Sequence, residues 1–312
     1  MRVIFAGTPE AAVPSLEKIA AGSHEVAAVL TRPDAPVGRR RTLTPSPVKT
    51  RAIELGLDVI EASRVRGDVI DRIAALEPDA VPIVAYGAII GPRALAVPKH
   101  GWVNLHFSLL PEWRGAAPVQ RAIMAGRRQT GATTFALDVG VDTGDILGTL
   151  DMPIEPGTTS GDLLARMAGA GADLLLRTLN ELEDGSARYT PQPETGATYA
   201  EKLATADGRL DWRASAAEID ARARAVTPAP GAWATMDGAR FKLGPVSPRP
   251  DVPTLEPGAV RVVAGDVLVG TGDTPVALGD IAPPGKKTMP ALDWARGLRG
   301  DSHRFDTPED DA

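Results

Sequence analysis

The stretch Trp102–Gly126, "WVNLHFSLLPEWRGAAPVQRAIMAG", changes character twice. Its first five residues read as a short strand of bulky side chains, the kind that packs inside a sheet. "SLLPEWRG" follows no helical or strand period and is broken by Pro111 and Gly115, so it reads as a loop. From about Pro118, "VQRAIMAG" reads as a helix. Strand, loop and helix in succession are the building unit of an open α/β sheet.

The same alternation extends back to the start of the chain. "RVIFAG" (2–7), "EVAAVLT" (25–31), "LDVIEA" (57–62) and "AVPIVA" (80–85) are valine- and isoleucine-rich runs. Helix-like segments separate them: "PSLEKIAA", "SPVKTRAIELG" and "GDVIDRIAALEPD". In the second of these, Ser46 is placed as N-cap, Pro47 as first helical residue and Gly56 as stop. The pattern predicts a doubly wound, mostly parallel, Rossmann-like α/β sheet with helices on both faces. Further on, "ATTFALDVGVDTGDILGTLDMPI" reads as a hairpin-like excursion, and "TSGDLLARMAGAGADLLLRTLNELEDG" as a long amphipathic helix.

The texture then shifts. We place a first domain at 1–189, a Pro-, Thr- and Gly-containing linker at 190–206, and a smaller β-barrel-like (OB-like) domain at 207–312. That last part opens with a short helix, "SAAEIDARARAV", and continues in proline-punctuated strands.

Composition narrows the function classes. With 312 residues, 43% hydrophobic and 24% charged, the chain has the make-up of a soluble globular protein. Its net charge of −6 argues against a generally basic nucleic-acid protein, though not against a local basic patch. No cysteine is present, so thiol catalysis, thiolate metal sites and disulfides are excluded. Four scattered histidines predict no metal centre. "MRVIFAGTPE" lacks the apolar segment of a signal peptide, and a cytoplasmic location is the expectation. In "AGTPE" the GxGxxG spacing is missing, which reads as a tight strand-to-helix turn and removes the main support for a dinucleotide.

Three features suggest chemistry. Asn104 and His106, at i and i+2 of a strand, face the same side near its C-terminal end, where open α/β sheets bind ligands. Asp138, Asp142 and Asp145 stand in a glycine-spaced loop; one of them facing His106 would orient and charge-tune the imidazole. Between residues 32 and 51 lie six basic residues (Arg32, Arg39, Arg40, Arg41, Lys49, Arg51) and one acid, Asp34. Such a run is either a solvated loop or a grip for phosphates.

"NLHFSLLPEWRGAAP" followed by "DVGVDTGDIL" resembles the signatures of the 10-formyltetrahydrofolate-dependent formyltransferases. "FAGTPE", the basic insertion "RPDAPVGRRRTLTPSPVK", "AAPVQRAIMAG" and "TYAEKL…DGRLDW" resemble the members that act on methionyl initiator tRNA. The resemblance covers nearly the whole chain. It implies a catalytic trio of Asn104, His106 and Asp142, and a donor-binding segment Ser108, Leu109, Leu110 and Pro111. It also implies 10-formyltetrahydrofolate as formyl donor, methionyl initiator tRNA as acceptor, and Arg39, Arg40 and Arg41 as tRNA contacts. In that chemistry Asn104 would stabilise an oxyanion, while His106 would polarise the formyl oxygen or take the amine proton. A monomer needing no metal is expected. Two positions depart from the pattern: Phe107 where glycine is common, and Glu112 where a basic residue is common. The competing readings are a formyltransferase for a small amine, a formyltetrahydrofolate hydrolase and a non-catalytic RNA-binding protein.

Overall fold

The computed structural model describes residues 1–38, 40–299 and 303–307. They form two compact units. The first comprises residues 1–118, 129–153 and 164–200, and the second 119–128, 154–163 and the chain from 201 onward.

A seven-stranded sheet organises the first unit. Its strands are β1 (Arg2–Gly7), β2 (Glu25–Thr31), β3 (Val59–Glu61), β4 (Val81–Val84), β5 (Trp102–His106), β6 (Gln129–Ala136) and β7 (Ile146–Pro153). Their spatial order is β7-β6-β5-β4-β1-β2-β3. Strands β1 to β5 pair in parallel, whereas β6 runs antiparallel to both β5 and β7. The hairpin expected from 132–154 is the β6–β7 ribbon. The chain order reverses between β1 and β4, so this is a doubly wound sheet with a switch point one strand away from the strand that carries His106.

The continuous apolar runs follow from burial on both faces. Ile4, Ala6, Ala28, Leu30 and Ile83 pack with Ile70 and Ile73 of the helix Asp68–Ala75. The helix Val13–Ala20 buries Leu16 and Ile19. Ser46 caps the helix Pro47–Glu54 by accepting from Lys49 N–H at 3.0 Å, and Gly56 takes φ +70° just past its end. Only glycine adopts that backbone without strain, which is why the helix stops there. Between β1 and the first helix the chain makes a tight turn, and Thr8 Oγ1 donates to the Tyr86 carbonyl at 3.0 Å.

The segment 190–200, expected as connecting chain, is bound into the first unit. Thr190 bridges to Ile146, and Tyr199–Ala200 pairs in parallel with Arg114–Gly115. Its composition suggests a linker, but its polar groups find partners far away in sequence.

The second unit is built from two antiparallel sheets around one core, with strands that include Ala232–Met236, Ala239–Leu243, Ala259–Val263, Asp266–Val269 and Val276–Leu278. The helix Ala216–Ala225 starts at Ser215 in a capping box with Glu218. An aromatic cluster of Trp212, Phe241, Trp294 and Phe305 fills the centre, with Trp212 stacked on Phe305 at 5.4 Å. Among the described residues, no helix is long and apolar enough to cross a membrane.

Candidate active site

Strand β5 presents Asn104 and His106 on one side, registered against Phe135 and Thr133 of β6. His106 is 6% exposed and meets the edge of Phe135 at 6.4 Å. Asn104 is half-buried, and among the described residues no protein group bonds to its side-chain amide. Its donors are uncommitted. Phe107 points the other way along the pleat and is buried, so the residue that departs from the family pattern packs in the core.

The loop 137–145 leaves the sheet at Ala136, opposite Val103, and doubles back along β5 to bring Asp142 to His106. Asp142 Oδ2 lies 3.7 Å from His106 Nδ1 and accepts the Gly115 N–H at 2.7 Å. Asp138 is a turn residue: its carboxylate accepts from Gly140 N–H at 3.0 Å and from Thr143 Oγ1 at 2.8 Å. Glycine is required at 144, because a Cβ there would stand 1.8 Å from the Ala136 carbonyl oxygen. Of the three aspartates left open by spacing, Asp142 is the one paired with the imidazole.

On its other side His106 Nε2 lies 2.9 Å from the Trp113 carbonyl oxygen. A carbonyl only accepts, so Nε2 carries the proton, and in the neutral ring Nδ1 presents a lone pair toward Asp142. Burial lowers the His106 pKa from its ordinary 6.5, and the nearby Asp142 charge opposes that without overcoming it. The imidazole is therefore neutral at pH 7, with a carboxylate waiting where a proton would arrive.

The expected donor segment is internally braced. Thr133 Oγ1 donates to the Ser108 carbonyl at 2.7 Å and receives the Leu110 N–H at 3.1 Å. Ser108 Oγ donates to the Glu112 carbonyl at 2.6 Å. Ser108 and Leu110 are buried, while Leu109 and Pro111 are half-buried. The loop is a fixed rim beside His106.

The basic insertion is an exposed two-stranded ribbon, Ala35–Val37 against Thr42–Thr44. Arg32 donates to the Gly87 carbonyl, Lys49 pairs with Asp34 and Glu61, and Arg51 pairs with Glu17 and Glu54. Those three cations are already engaged by protein groups. Arg40 and Arg41, at its tip, are exposed, and their guanidinium groups have no protein partner among the described residues. Arg39 lies outside the described residues.

The formyl transferase family model matches residues 1–179, and that of the formyl transferase C-terminal domain matches 202–299. The chain belongs to the formyl transferase family. It is 58% identical over 299 residues to a methionyl-tRNA formyltransferase of Paenarthrobacter aurescens (strain TC1), covering 96% of this chain and 97% of that one. Among solved structures it resembles the methionyl-tRNA formyltransferase from Clostridium thermocellum, with TM-score 0.57, 17% identity, and 80% and 94% of the two chains covered. It also resembles WlaRD, a sugar 3N-formyl transferase, with TM-score 0.68, 16% identity, and 89% and 97% covered. At those identities the two structures speak to the fold alone.

In this formyl transferase, two residues that the sequence does not single out bind the loops that carry the site. Thr198 Oγ1 accepts from Trp113 N–H at 2.8 Å, and the Thr198 carbonyl accepts from Arg114 N–H at 2.9 Å. Gln192 reaches Arg114, Asp142 and Gly144 together. Composition alone places both in a linker, and the only local sign of order is the short apolar pair at 199–200.

Proposed function

We propose that this chain transfers the formyl group of 10-formyltetrahydrofolate to the α-amino group of methionyl initiator tRNA. The observation that carries the chemistry is a buried His106 facing Asp142, beside the uncommitted amide of Asn104. The acceptor rests on near full-length identity with a relative named for methionyl-tRNA, including the C-terminal unit.

The incoming amine attacks the formyl carbon, forming a C–N bond while the carbonyl electrons move onto oxygen. An N–H of Asn104 donates to that oxyanion, and its planar amide is positioned by the strand rather than by a mobile loop. His106 Nδ1, with Nε2–H already committed to Trp113, accepts the proton that the amine sheds. The imidazolium so formed is stabilised by Asp142. As the tetrahedral species collapses, the bond to N10 breaks and the same proton passes to N10, leaving tetrahydrofolate and the formylated methionyl-tRNA. The donor rests against Ser108, Leu109, Leu110 and Pro111, a rim whose own hydrogen bonds hold it still. Arg40 and Arg41, together with Arg39, meet tRNA phosphates. The reading is of an enzyme that acts as a monomer in the cytoplasm.

The test is formyl transfer from 10-formyltetrahydrofolate to methionyl initiator tRNA, with glycinamide ribonucleotide and acceptor-free reactions alongside. Transfer to the tRNA alone supports the reading. Transfer to the small amine, or bare hydrolysis of the donor, overturns the substrate.

A further inference from the structure

Asp142 sits at φ +53° and Trp113 at φ +62°, conformations that residues other than glycine keep only when their surroundings hold them. Both belong to the site, one as the carboxylate facing His106 and the other as the carbonyl that receives His106 Nε2–H. The Asp142 carboxylate is fixed by one backbone donor, Gly115 N–H. Its main chain is fixed by a side chain 50 residues away: Gln192 Nε2 donates to the Asp142 carbonyl at 2.9 Å and the Gly144 carbonyl at 2.8 Å. Among the described residues, no other group donates to either carbonyl.

Gln192 Oε1 in turn accepts from Arg114 Nε at 3.1 Å and Nη2 at 2.7 Å. Both amide hydrogens and the amide oxygen are therefore used. A ring closes from His106 through Trp113, Arg114 and Gln192 to Asp142 and back to His106. Every link in it is a hydrogen bond, a peptide bond or the facing pair itself. Resting on the reading of Asp142 as the group that stabilises the protonated imidazole, we propose that Gln192 is a positioning residue that sets where Asp142 stands against His106. Only an amide serves there. A carboxylate keeps the acceptor for Arg114 but has no hydrogen for the two carbonyls, and a thioether supplies neither.

A displacement of about 1 Å in a reacting group costs on the order of a hundredfold in rate, and a residue acting only by placement affects the chemical step rather than binding. The experiment compares the full-length wild type with Gln192→Glu, Asp142→Asn and the double variant. It measures kcat, KM for 10-formyltetrahydrofolate, KM for methionyl initiator tRNA, and melting temperature. Gln192→Glu lowers kcat by roughly tenfold or more with both KM values unchanged, and the double variant is no slower than Asp142→Asn alone, because residues acting through one group are not additive. If Gln192→Glu does not fold, Gln192→Met is read in the same way. A slow Asp142→Asn beside a Gln192→Glu with normal kcat overturns the role of Gln192 while leaving the proposed chemistry intact. Losses that multiply in the double variant, or a change in KM without one in kcat, overturn it equally. A near-normal Asp142→Asn overturns the proposed chemistry itself, and the role of Gln192 with it.

Discussion

His106 Nδ1 and Asp142 Oδ2 stand 3.7 Å apart, too far for a hydrogen bond and close enough for the carboxylate to stabilise a proton arriving on the ring. The separation suits a base that rests neutral and becomes charged only during reaction. Since Nε2–H is bonded to the Trp113 carbonyl, the ring cannot turn to offer its proton to Asp142 without losing that bond.

Replacing Asn104 by alanine removes the uncommitted donor while leaving the strand and His106 in place. The expected result is a kcat about 10²- to 10³-fold lower with little change in KM for the formyl donor, the size of effect seen when one oxyanion donor is lost. Steady-state kinetics with methionyl initiator tRNA check it. A variant that changes only KM would give Asn104 a binding role instead.

The pH dependence follows from burial, which holds the His106 pKa below 6.5 against the opposing pull of Asp142. Activity needs the neutral ring, so the acid limb of kcat/KM has its midpoint below 6.5. Stability moves in the same direction. Below 6.5 the unfolded chain binds a proton at this histidine that the folded chain does not, so stability falls as the pH drops from 6.5 toward the folded pKa. Urea melts between pH 7.5 and 5 should therefore show a drop that His106→Gln makes shallower.

At the ribbon tip, Arg40→Ala together with Arg41→Ala should weaken tRNA binding and leave KM for the donor unchanged. The slope of log affinity against log salt should become less steep by roughly 0.7–0.9 for each phosphate that the variant no longer neutralises. Binding measured from low to moderate salt checks this, and an unaltered slope would exclude the tip arginines from tRNA recognition.

Two glycines should respond in opposite directions. Gly144→Ala places a Cβ 1.8 Å from the Ala136 carbonyl and should cost about 2–3 kcal/mol by forcing the Asp142 loop outward. Gly169→Ala, in the helix Ser160–Asp184 with nothing within 4 Å of the new methyl, should stabilise by about 0.5–1 kcal/mol. Thermal unfolding of each variant separates the two.

The parallel strands were legible because their central positions are buried and so carry mostly apolar side chains; Arg2–Gly7, Glu25–Thr31 and Trp102–His106 fall where their runs predict. Ser46, Pro47 and Gly56 marked a helix for local reasons of capping and backbone freedom, and local reasons can be read from one sequence. The pairing of His106 with Asp142 was reachable only through the family resemblance, since loop spacing left three aspartates open. Gln192 and Thr198 could not be found at all. Their partners lie 50 and 85 residues away, and a glutamine among prolines carries no local pattern. The arginine run was visible, but not which cations are free; that depended on acids such as Glu17 and Glu61 folding onto Arg51 and Lys49.

The most direct test of the proposed chemistry is single-turnover formyl transfer by His106→Gln, with 10-formyltetrahydrofolate and methionyl initiator tRNA both saturating. The glutamine amide can still donate to the Trp113 carbonyl but cannot accept and pass on the amine proton at neutral pH. The expected result is a transfer rate lower by about 10²-fold or more, with the dissociation constants of both substrates unchanged. A variant that transfers formyl at the wild-type rate would contradict His106 as the base.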